Sequence, residues 1–186
     1  SVAGTLAETY LTSRGIHGNI PGCVRFGMTP RYWDNSGPGP RRPAMIAACQ
    51  DVDGHVVGIQ RTFLDARGRK TSDTPRMSLG QIRGGALRLG PVAPHIHLAT
   101  ATEDALALTR MFPGASVWAT FGDAHLEHVA LPTIVRHVTL CGDADDAGRA
   151  AVANAQTAMR NRVIVVDAIF PHAGKDFNEE WVRLHA

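Results

Sequence analysis

The sequence predicts an α/β domain, a parallel sheet flanked by helices, preceded by a smaller α+β N-terminal subdomain. Two observations support this fold class. From residue 95 onward, short apolar runs alternate with segments of helical periodicity, as is typical of strand–helix units. Between residues 44 and 63, two strand-like runs flank a turn sequence, which indicates an antiparallel hairpin. We therefore expect a basic α+β subdomain at 1–92 and an α/β domain at 93–186.

The first 92 residues combine one helical segment with strand and turn signals. Leu6, Tyr10 and Leu11 share one side of a helix that Gly15 would end. Glycine and proline crowd the segment 27–43, which predicts a loop. The predicted elements are a helix at 2–14, a loop at 27–43, strands at 44–50 and 56–63 around a turn at 51–54, a turn at 65–70 and irregular strands at 71–90.

The second half predicts alternating strands and helices. The predicted strands are at 95–99, 116–120, 136–141 and 162–166. The predicted helices are at 103–112, 124–130, 146–160 and 176–184. Strands connected by helices run parallel, so helices would cover both faces of this sheet.

Composition excludes several classes of protein. Of the 186 residues, 44% are hydrophobic, which is enough for a sizeable core and excludes wholesale disorder. No apolar run approaches the ~18–20 residues of a membrane span, so we expect no membrane partner. The cysteines Cys23, Cys49 and Cys141 are far apart and odd in number, which argues against a disulfide framework or a zinc ribbon. A reducing, cytoplasmic setting fits best.

Charge is distributed unevenly along the chain. Residues 1–90 carry 12 basic and 6 acidic residues, whereas residues 91–186 carry 7 and 11, so a net charge of +2 hides opposite halves. A basic half beside an acidic half suggests a polyanion-binding face next to a metal-binding site, although random variation of surface charge is an equal alternative. The candidate phosphate-binding side chains are Arg61, Arg67, Arg69 and Lys70.

The most informative motif is Asp143-Ala144-Asp145-Asp146-Ala147-Gly148-Arg149, which starts at the carboxyl end of a predicted strand and opens a predicted helix. Ligands of open α/β sheets bind at such ends. Asp143 and Asp145 lie two residues apart on a tight turn, so both carboxylates can reach one Mg²⁺ ion. Asp146 could cap the helix, and Gly148 could allow close approach of the backbone. Helix capping by all three aspartates is the alternative interpretation.

Acidic residues mark two further junctions between strand and helix. Glu103 and Asp104 lie in the first turn of one predicted helix, and Lys175 and Asp176 precede another. Each has an ordinary explanation, because acids favour helix N-termini and Asp176 with Glu179 forms a capping-box pattern. Three acidic junctions in one sheet are harder to explain by capping alone. A further group, Asp123, His125 and His128, has spacing that could bind zinc, but an exposed helix is the better interpretation.

Here the sequence resembles the Toprim domain, specifically that of primase-like proteins from phages, plasmids and integrating elements. The motifs that carry the resemblance are Asp143–Arg149 and Gly174-Lys175-Asp176-Phe177-Asn178. Further similar segments lie at 2–11, 43–45, 61–64, 84–89 and 116–120, so the resemblance covers nearly the whole chain.

The resemblance implies site residues and a cofactor. It places Asp143 and Asp145 on the Mg²⁺ (or Mn²⁺) ligands of the family and Asp176 on an acidic position beside the metal. The family also has a Glu-Gly pair whose glutamate acts as general acid/base, and here Thr100 and Ala101 stand in its place. Threonine does not titrate as a carboxylic acid does. Glu103 or Asp104 would have to substitute, with Lys175 meeting phosphate.

The resemblance implies three functions. The first is a DNA primase or nucleotidyltransferase domain that acts on nucleotides and single-stranded DNA. The second is a degenerate Toprim module that binds nucleic acid as a replication accessory, which Thr100 favours. The third is a metal-dependent nuclease. No nucleotide-binding P-loop motif occurs, so we expect a replicative helicase or further domains of a longer chain as partners.

The predicted loop at 27–43 holds a last candidate. Tyr32 and Trp33 lie close in sequence to Arg31, Arg41 and Arg42. Aromatic and arginine side chains together can stack on the bases of a single strand, whereas packing within the loop explains the same residues equally well.

Overall fold

The structure is a computed structural model that describes residues 1–73, 75–160, 162 and 165–185. Its first half contains one helix and an antiparallel sheet. The elements are α1 (Leu6–Ser13), β1 (Val24–Pro30), β2 (Trp33–Asp34), β3 (Gly37–Pro38), β4 (Arg41–Gln50), β5 (Val56–Phe63), β6 (Arg76–Gly80) and β7 (Leu87–Arg88). Strands β1, β4, β5 and β6 form the sheet in that order, and β2 pairs with β3 in a small hairpin.

The predicted hairpin of β4 and β5 is confirmed, but the predicted loop at 27–43 is wrong. That segment contains the end of β1, the β2–β3 hairpin and the start of β4. Proline is tolerated in strands where no ladder N–H is needed. Pro30 ends β1, and the carbonyl of Pro43 accepts a hydrogen bond from the N–H of Leu64 (2.9 Å). The predicted helix at 2–14 is shorter, because the Thr5 hydroxyl caps its start by accepting from the Ala7 N–H.

The second half is a sheet with helices on both faces, as predicted. Its elements are β8 (His95–Ala99), α2 (Thr102–Met111), β9 (Ser116–Ala119), α3 (Asp123–Leu126), β10 (His137–Cys141), α4 (Asp146–Met159), β11 (Val165–Ile169) and α5 (Phe177–Leu184). The strand order is β11-β10-β8-β9-β7, in which β7 alone is antiparallel, at one edge. Strand β7 lies within the first 92 residues but pairs with β9 of this sheet. The subdomain boundary after residue 92 stays a prediction.

Alternating side chains divide the core between the two faces of the sheet. Val117 and Ala119 of β9 pack in a cluster with α1, α2 and the antiparallel sheet. Trp118 between them faces a second cluster that includes residues of α3 and α4. Successive side chains of a strand point to opposite faces, so both faces are buried. The antiparallel sheet of the first half therefore packs against only one face of the sheet that contains β8 to β11.

Two predicted elements of the second half differ from the structure by three or more residues at one or both ends, and the others by at most one residue at either end. The helix predicted at 124–130 ends at Leu126. The Ala130 N–H donates to the Gly84 carbonyl (2.8 Å) and not to the Leu126 carbonyl, as it would in a longer helix. The strand predicted at 162–166 is β11, three residues later. Arg162 still belongs to the turn after α4, since its N–H donates to the Met159 carbonyl, and Val163 and Ile164 lie outside the described residues. Among the residues that the structure describes, no helix is long and apolar enough to cross a membrane.

Candidate active site

A cavity of about 280 Å³ lies at the carboxyl ends of the parallel strands. The strand ends are in register, because Cys141 of β10 pairs with both Ala99 of β8 and Ile169 of β11. The segments that follow these strands therefore meet at one edge of the sheet. Five carboxylates and four cations line the cavity: Glu103, Asp104, Asp123, Asp143 and Asp176 with Arg14, Lys70, Arg76 and Lys175. Arg14, Lys70 and Arg76 come from the first half of the chain, so the cavity joins both halves.

Asp143 lies on the tight turn between β10 and α4. A side chain at Gly148 would place its Cβ 2.5 Å from the Asp143 carbonyl oxygen, so only glycine lets the first turn of α4 approach this closely. Partial burial raises the pKa of the Asp143 carboxyl to about 6, and repulsion from Asp123, Asp176 and Asp145 adds to this, whereas Lys175 opposes it. Asp143 therefore lies in a surplus of negative charge, which a cation would relieve.

Asp145 acts as a helix cap in this structure. Its Oδ1 accepts from the Gly148 N–H (2.8 Å), and its Oδ2 lies 3.0 Å from the Lys175 Nζ. The Gly148 N–H and then Lys175 hold the pKa of Asp145 below its usual value, and the hydrogen bond to Asp145 raises the pKa of Lys175. The capping role predicted for Asp146 thus belongs to Asp145, and Asp146 is exposed.

Asp176 caps α5 and also lines the cavity. Its Oδ1 accepts from the Glu179 N–H (2.7 Å), and the Glu179 carboxylate accepts from the Lys175 N–H (2.9 Å). This arrangement is close to the predicted capping box, with the returning bond made to Lys175 instead of Asp176. The cap directs Asp176 and Lys175 to the edge of the sheet where Asp143 lies.

Glu103 is buried and forms an ion pair with Arg76, so it connects the second half of the chain to the first. It accepts from the Tyr10 hydroxyl of α1 (2.6 Å) and from the Arg76 guanidinium of β6 (2.7 Å), and it is 2% exposed. Burial alone would raise the pKa of Glu103, but Arg76 and Tyr10 together hold it below its usual value. Both carboxylate oxygens are therefore occupied, and Glu103 stays ionised.

Asp104 has the opposite environment. It is 5% exposed, and its Oδ1 accepts from the Asn178 N–H (3.0 Å). Burial raises the pKa of Asp104 well above its usual value, and the neighbouring charge of Asp176 raises it further. Adjacent residues of α2 thus provide one carboxylate that is charged at neutral pH and one that can hold a proton.

Sequence reasoning missed Asp123, Arg76 and Arg14 as residues of the cavity. Asp123 begins α3 directly after the segment that follows β9. It therefore marks a fourth junction between strand and helix, the same signal that drew attention to the other three. Local sequence gave no indication of Arg76 or Arg14, since they reach the cavity only through packing of the two halves.

The predicted metal ligands do not form a tight cluster. Within the described part of the chain, the one group whose three ligand atoms lie within 4.8 Å of one another is Asp51, Asp53 and His55, at the turn between β4 and β5. The Asp51 carboxylate accepts from the N–H groups of Asp53 and His55, so it shapes this turn. This group lies outside the cavity.

The predicted phosphate-binding residues have different positions. Arg61 is 1% exposed, and its guanidinium donates to the Pro30 carbonyl (2.5 Å), so it is not available to a phosphate in this structure. Arg67 and Arg41 are exposed. Three others have partners or face the cavity: Arg69 pairs with Asp65, Arg42 pairs with Asp73, and Lys70 lines the cavity.

Two family models match consecutive parts of the chain. Residues 95–184 match the model of the Toprim domain, and residues 1–89 match a domain of unknown function, DUF7146. A comparison with curated protein sequences gave no significant match.

Solved primase structures have a similar fold. A DNA primase domain from Pseudomonas aeruginosa is 17% identical, with a TM-score of 0.67 over 95% of this chain and 67% of that chain. The DnaG primase catalytic domain bound to single-stranded DNA is 16% identical, with a TM-score of 0.67 over 100% of this chain and 72% of that one. The primase fragment of the bacteriophage T7 primase-helicase protein is 15% identical, with a TM-score of 0.58 over 91% and 79%. These structures share the fold across both halves of the chain.

Proposed function

We propose that this chain is a DNA primase-type nucleotidyltransferase module, because residues 95–184 match the Toprim domain model and solved primase domains have a similar fold. It would use Mg²⁺ and a single-stranded DNA template. The observation that carries the proposal is the cavity in which carboxylates of the parallel-sheet domain face cations from both halves. Phosphoryl transfer needs this combination, because metal ligands and phosphate-binding cations must meet at one place.

The carboxylates of the cavity fit a divalent metal. Mg²⁺ is usually bound by one or two carboxylates, with water and phosphate oxygens completing its shell. Asp143 meets this need, since it lines the cavity with Asp176, and its pKa is raised first by burial and then by the charges of Asp123, Asp176 and Asp145, while Lys175 opposes this. Asp143 would hold Mg²⁺ or Mn²⁺, with Asp145 and Asp176 beside it. The bound ion would neutralise charge on the reacting phosphates.

Asp104 is the carboxyl that we assign to proton transfer. Thr100 stands where the family has its acid/base glutamate, and Asp104 lines the same cavity with a pKa raised by burial. A buried carboxyl whose pKa is raised can hold a proton and release it, as a general acid or base must. Glu103 was the other predicted candidate, and its ion pair with Arg76 fits a positioning role better. Lys175 would meet nucleotide phosphates.

Exposed cations of the first half would bind the template. We assign Arg67, Arg69, Lys70, Arg41 and Arg42 to phosphates of single-stranded DNA, and leave out the buried Arg61. Such contacts make affinity fall as salt concentration rises. The other predicted partners, a replicative helicase or further domains of a longer chain, remain predictions, as does the cytoplasmic setting.

The test is a Mn²⁺ titration followed by electron paramagnetic resonance, combined with primer synthesis from nucleotides on single-stranded DNA. We expect one specific Mn²⁺ site and metal-dependent primers in the wild type. Both should be lost in Asp143→Asn and kept in the matched control Asp146→Asn, which changes an exposed aspartate three residues away. Metal binding without primers but with cleaved DNA would identify a nuclease. DNA binding without specific metal binding would identify the degenerate module.

We expect Asp104→Asn to lower the rate of primer synthesis by about 100-fold or more, the usual contribution of a general acid or base. Asparagine keeps the shape and can still accept from the Asn178 N–H, so the fold should be unchanged. Specific Mn²⁺ binding should remain, which separates a proton-transfer role from a metal-binding one. A wild-type rate for this variant would remove Asp104 from the mechanism.

A further inference from the structure

Two aromatic side chains stand on the surface beside the β2–β3 hairpin. We call Tyr32 together with β2 and β3 the aromatic hairpin. Tyr32 and Trp33 are each 48% exposed. A large aromatic side chain usually buries more of its surface, and exposed aromatic rings are the groups on which the bases of a single strand stack.

Each ring is held in place from the protein side. A Cβ atom at Gly39 would lie 2.6 Å from the Tyr32 ring, so the ring packs directly on the glycine backbone. The Gly39 N–H also donates to the Tyr32 carbonyl (3.0 Å). The Trp33 ring lies 5.3 Å from the guanidinium carbon of Arg61. The Arg61 guanidinium also lies over the Phe63 ring and donates to the Pro30 carbonyl, so its charge is used within the protein.

Arginines surround the aromatic hairpin. Arg31 and Arg42 pair with Asp73 at 2.9 and 3.3 Å, and Arg41 is exposed. Three arginines near the hairpin thus stand against two acidic residues, Asp73 and the exposed Asp34 of β2, which leaves a positive balance. A nucleic acid strand needs such a balance for its phosphates beside rings that receive its bases.

The aromatic hairpin is connected to the cavity by a shared surface. Lys70 lines the cavity and also a neighbouring groove that contains Asp73. Asp73 in turn binds Arg31, the residue next to Tyr32. A strand that leaves the cavity past Lys70 would therefore follow the groove to the aromatic hairpin.

We propose that the aromatic hairpin is a stacking platform for bases of single-stranded DNA, at the far end of a path that begins in the cavity. This inference rests on the proposed function, because it assigns a route to the template strand. The rings are fixed before binding, so stacking costs little ordering of side chains. The platform accepts any base, since stacking uses the flat face that all bases share.

The test compares two oligonucleotides of equal length, oligothymidylate and an abasic strand with the same phosphates, titrated against the protein in EDTA. Binding is followed by fluorescence anisotropy of the labelled strand and by tryptophan emission. We expect oligothymidylate to quench tryptophan emission and to bind about tenfold or more tightly than the abasic strand. Trp33→Ala and Tyr32→Ala should each lose this preference, whereas Trp33→Phe should keep most of it. Trp181→Phe is the control, because it removes a tryptophan of α5 away from the hairpin.

Equal affinity for the two strands, or unchanged discrimination in Trp33→Ala, would overturn the platform while leaving primer synthesis at the cavity intact. Asp143→Asn should show wild-type quenching, since it alters the metal site and not the hairpin. Trp33→Ala should keep specific Mn²⁺ binding. A wild-type protein with no affinity for either strand would overturn the platform and the proposed template together.

Discussion

Replacing Glu103 with glutamine is expected to lower the free energy of unfolding by about 3 kcal/mol, at the lower end of the range for breaking a buried ion pair. The variant leaves the Arg76 charge without its partner. The Arg76 side chain is 35% exposed, so water compensates part of that loss. A change of this size lowers the melting temperature of a chain this long by about 6–12 °C. Denaturant unfolding with linear extrapolation measures it directly.

Graded controls separate the ion pair from general disturbance of the site. Tyr10→Phe removes one hydrogen bond to Glu103 and should cost about 1–2 kcal/mol. Glu127→Gln, at a partly exposed glutamate of the segment after α3, should change stability by less than about 0.5 kcal/mol. Equal stability of Glu103→Gln and Glu127→Gln would show that the ion pair does not hold the two halves together.

The Glu103 effect should depend on pH. Because the folded protein holds the pKa of Glu103 below its usual value, this carboxylate contributes stability above the unfolded pKa, which the fold loses as pH falls through the folded pKa. The difference between wild type and Glu103→Gln should therefore be full at pH 7 and shrink below about pH 4. Repeating the unfolding measurement across this range tests the assignment.

Asp143→Asn is expected to abolish the metal-dependent reaction and at the same time stabilise the metal-free protein. Loss of a metal ligand should lower the rate of primer synthesis by about 100-fold or more. Without metal, the charge of Asp143 is unfavourable, because burial and three neighbouring carboxylates oppose it. Removing that charge should raise stability by about 1 kcal/mol after allowance for solvent screening, or about 2–4 °C in melting temperature.

The pH dependence of this stabilisation has a defined sign. The native protein raises the pKa of Asp143 to about 6, so the folded state binds a proton more tightly than the unfolded state. Wild-type stability from this group therefore falls as pH rises through the range from about 4 to 6. The advantage of Asp143→Asn should be complete at pH 8 in EDTA and absent near pH 4. Melting curves of Asp146→Asn supply the baseline, and an unchanged or lower melting temperature for Asp143→Asn at pH 8 would contradict the charge surplus.

Much of the architecture and part of the candidate site could be predicted because their signals are local. Apolar periodicity predicted the alternating strands and helices, and the turn sequence at 51–54 predicted the β4–β5 hairpin. The acidic turns at Asp143 and Asp176 could be placed together, since parallel strands bring their carboxyl ends to one edge of a sheet. Glycine and proline misled the prediction at 27–43, because Gly27 and Pro43 lie inside strands that form only through pairing with other segments of the chain.

The tertiary structure alone decided which charged groups are free to act. Glu103 and Asp104 are neighbours on α2 and look equivalent in sequence. Packing brings the Tyr10 hydroxyl and the Arg76 guanidinium to Glu103 as hydrogen-bond donors. Asp104 accepts one backbone N–H, from Asn178, and the negative charge of Asp176 raises its pKa further. Arg61 likewise differs from Arg67 through its burial, in which its guanidinium contacts Trp33, Phe63 and the Pro30 carbonyl. The hydrophobic pattern is a property of the local sequence. The protonation and exposure of a side chain depend instead on groups that only folding brings within a few ångströms of it.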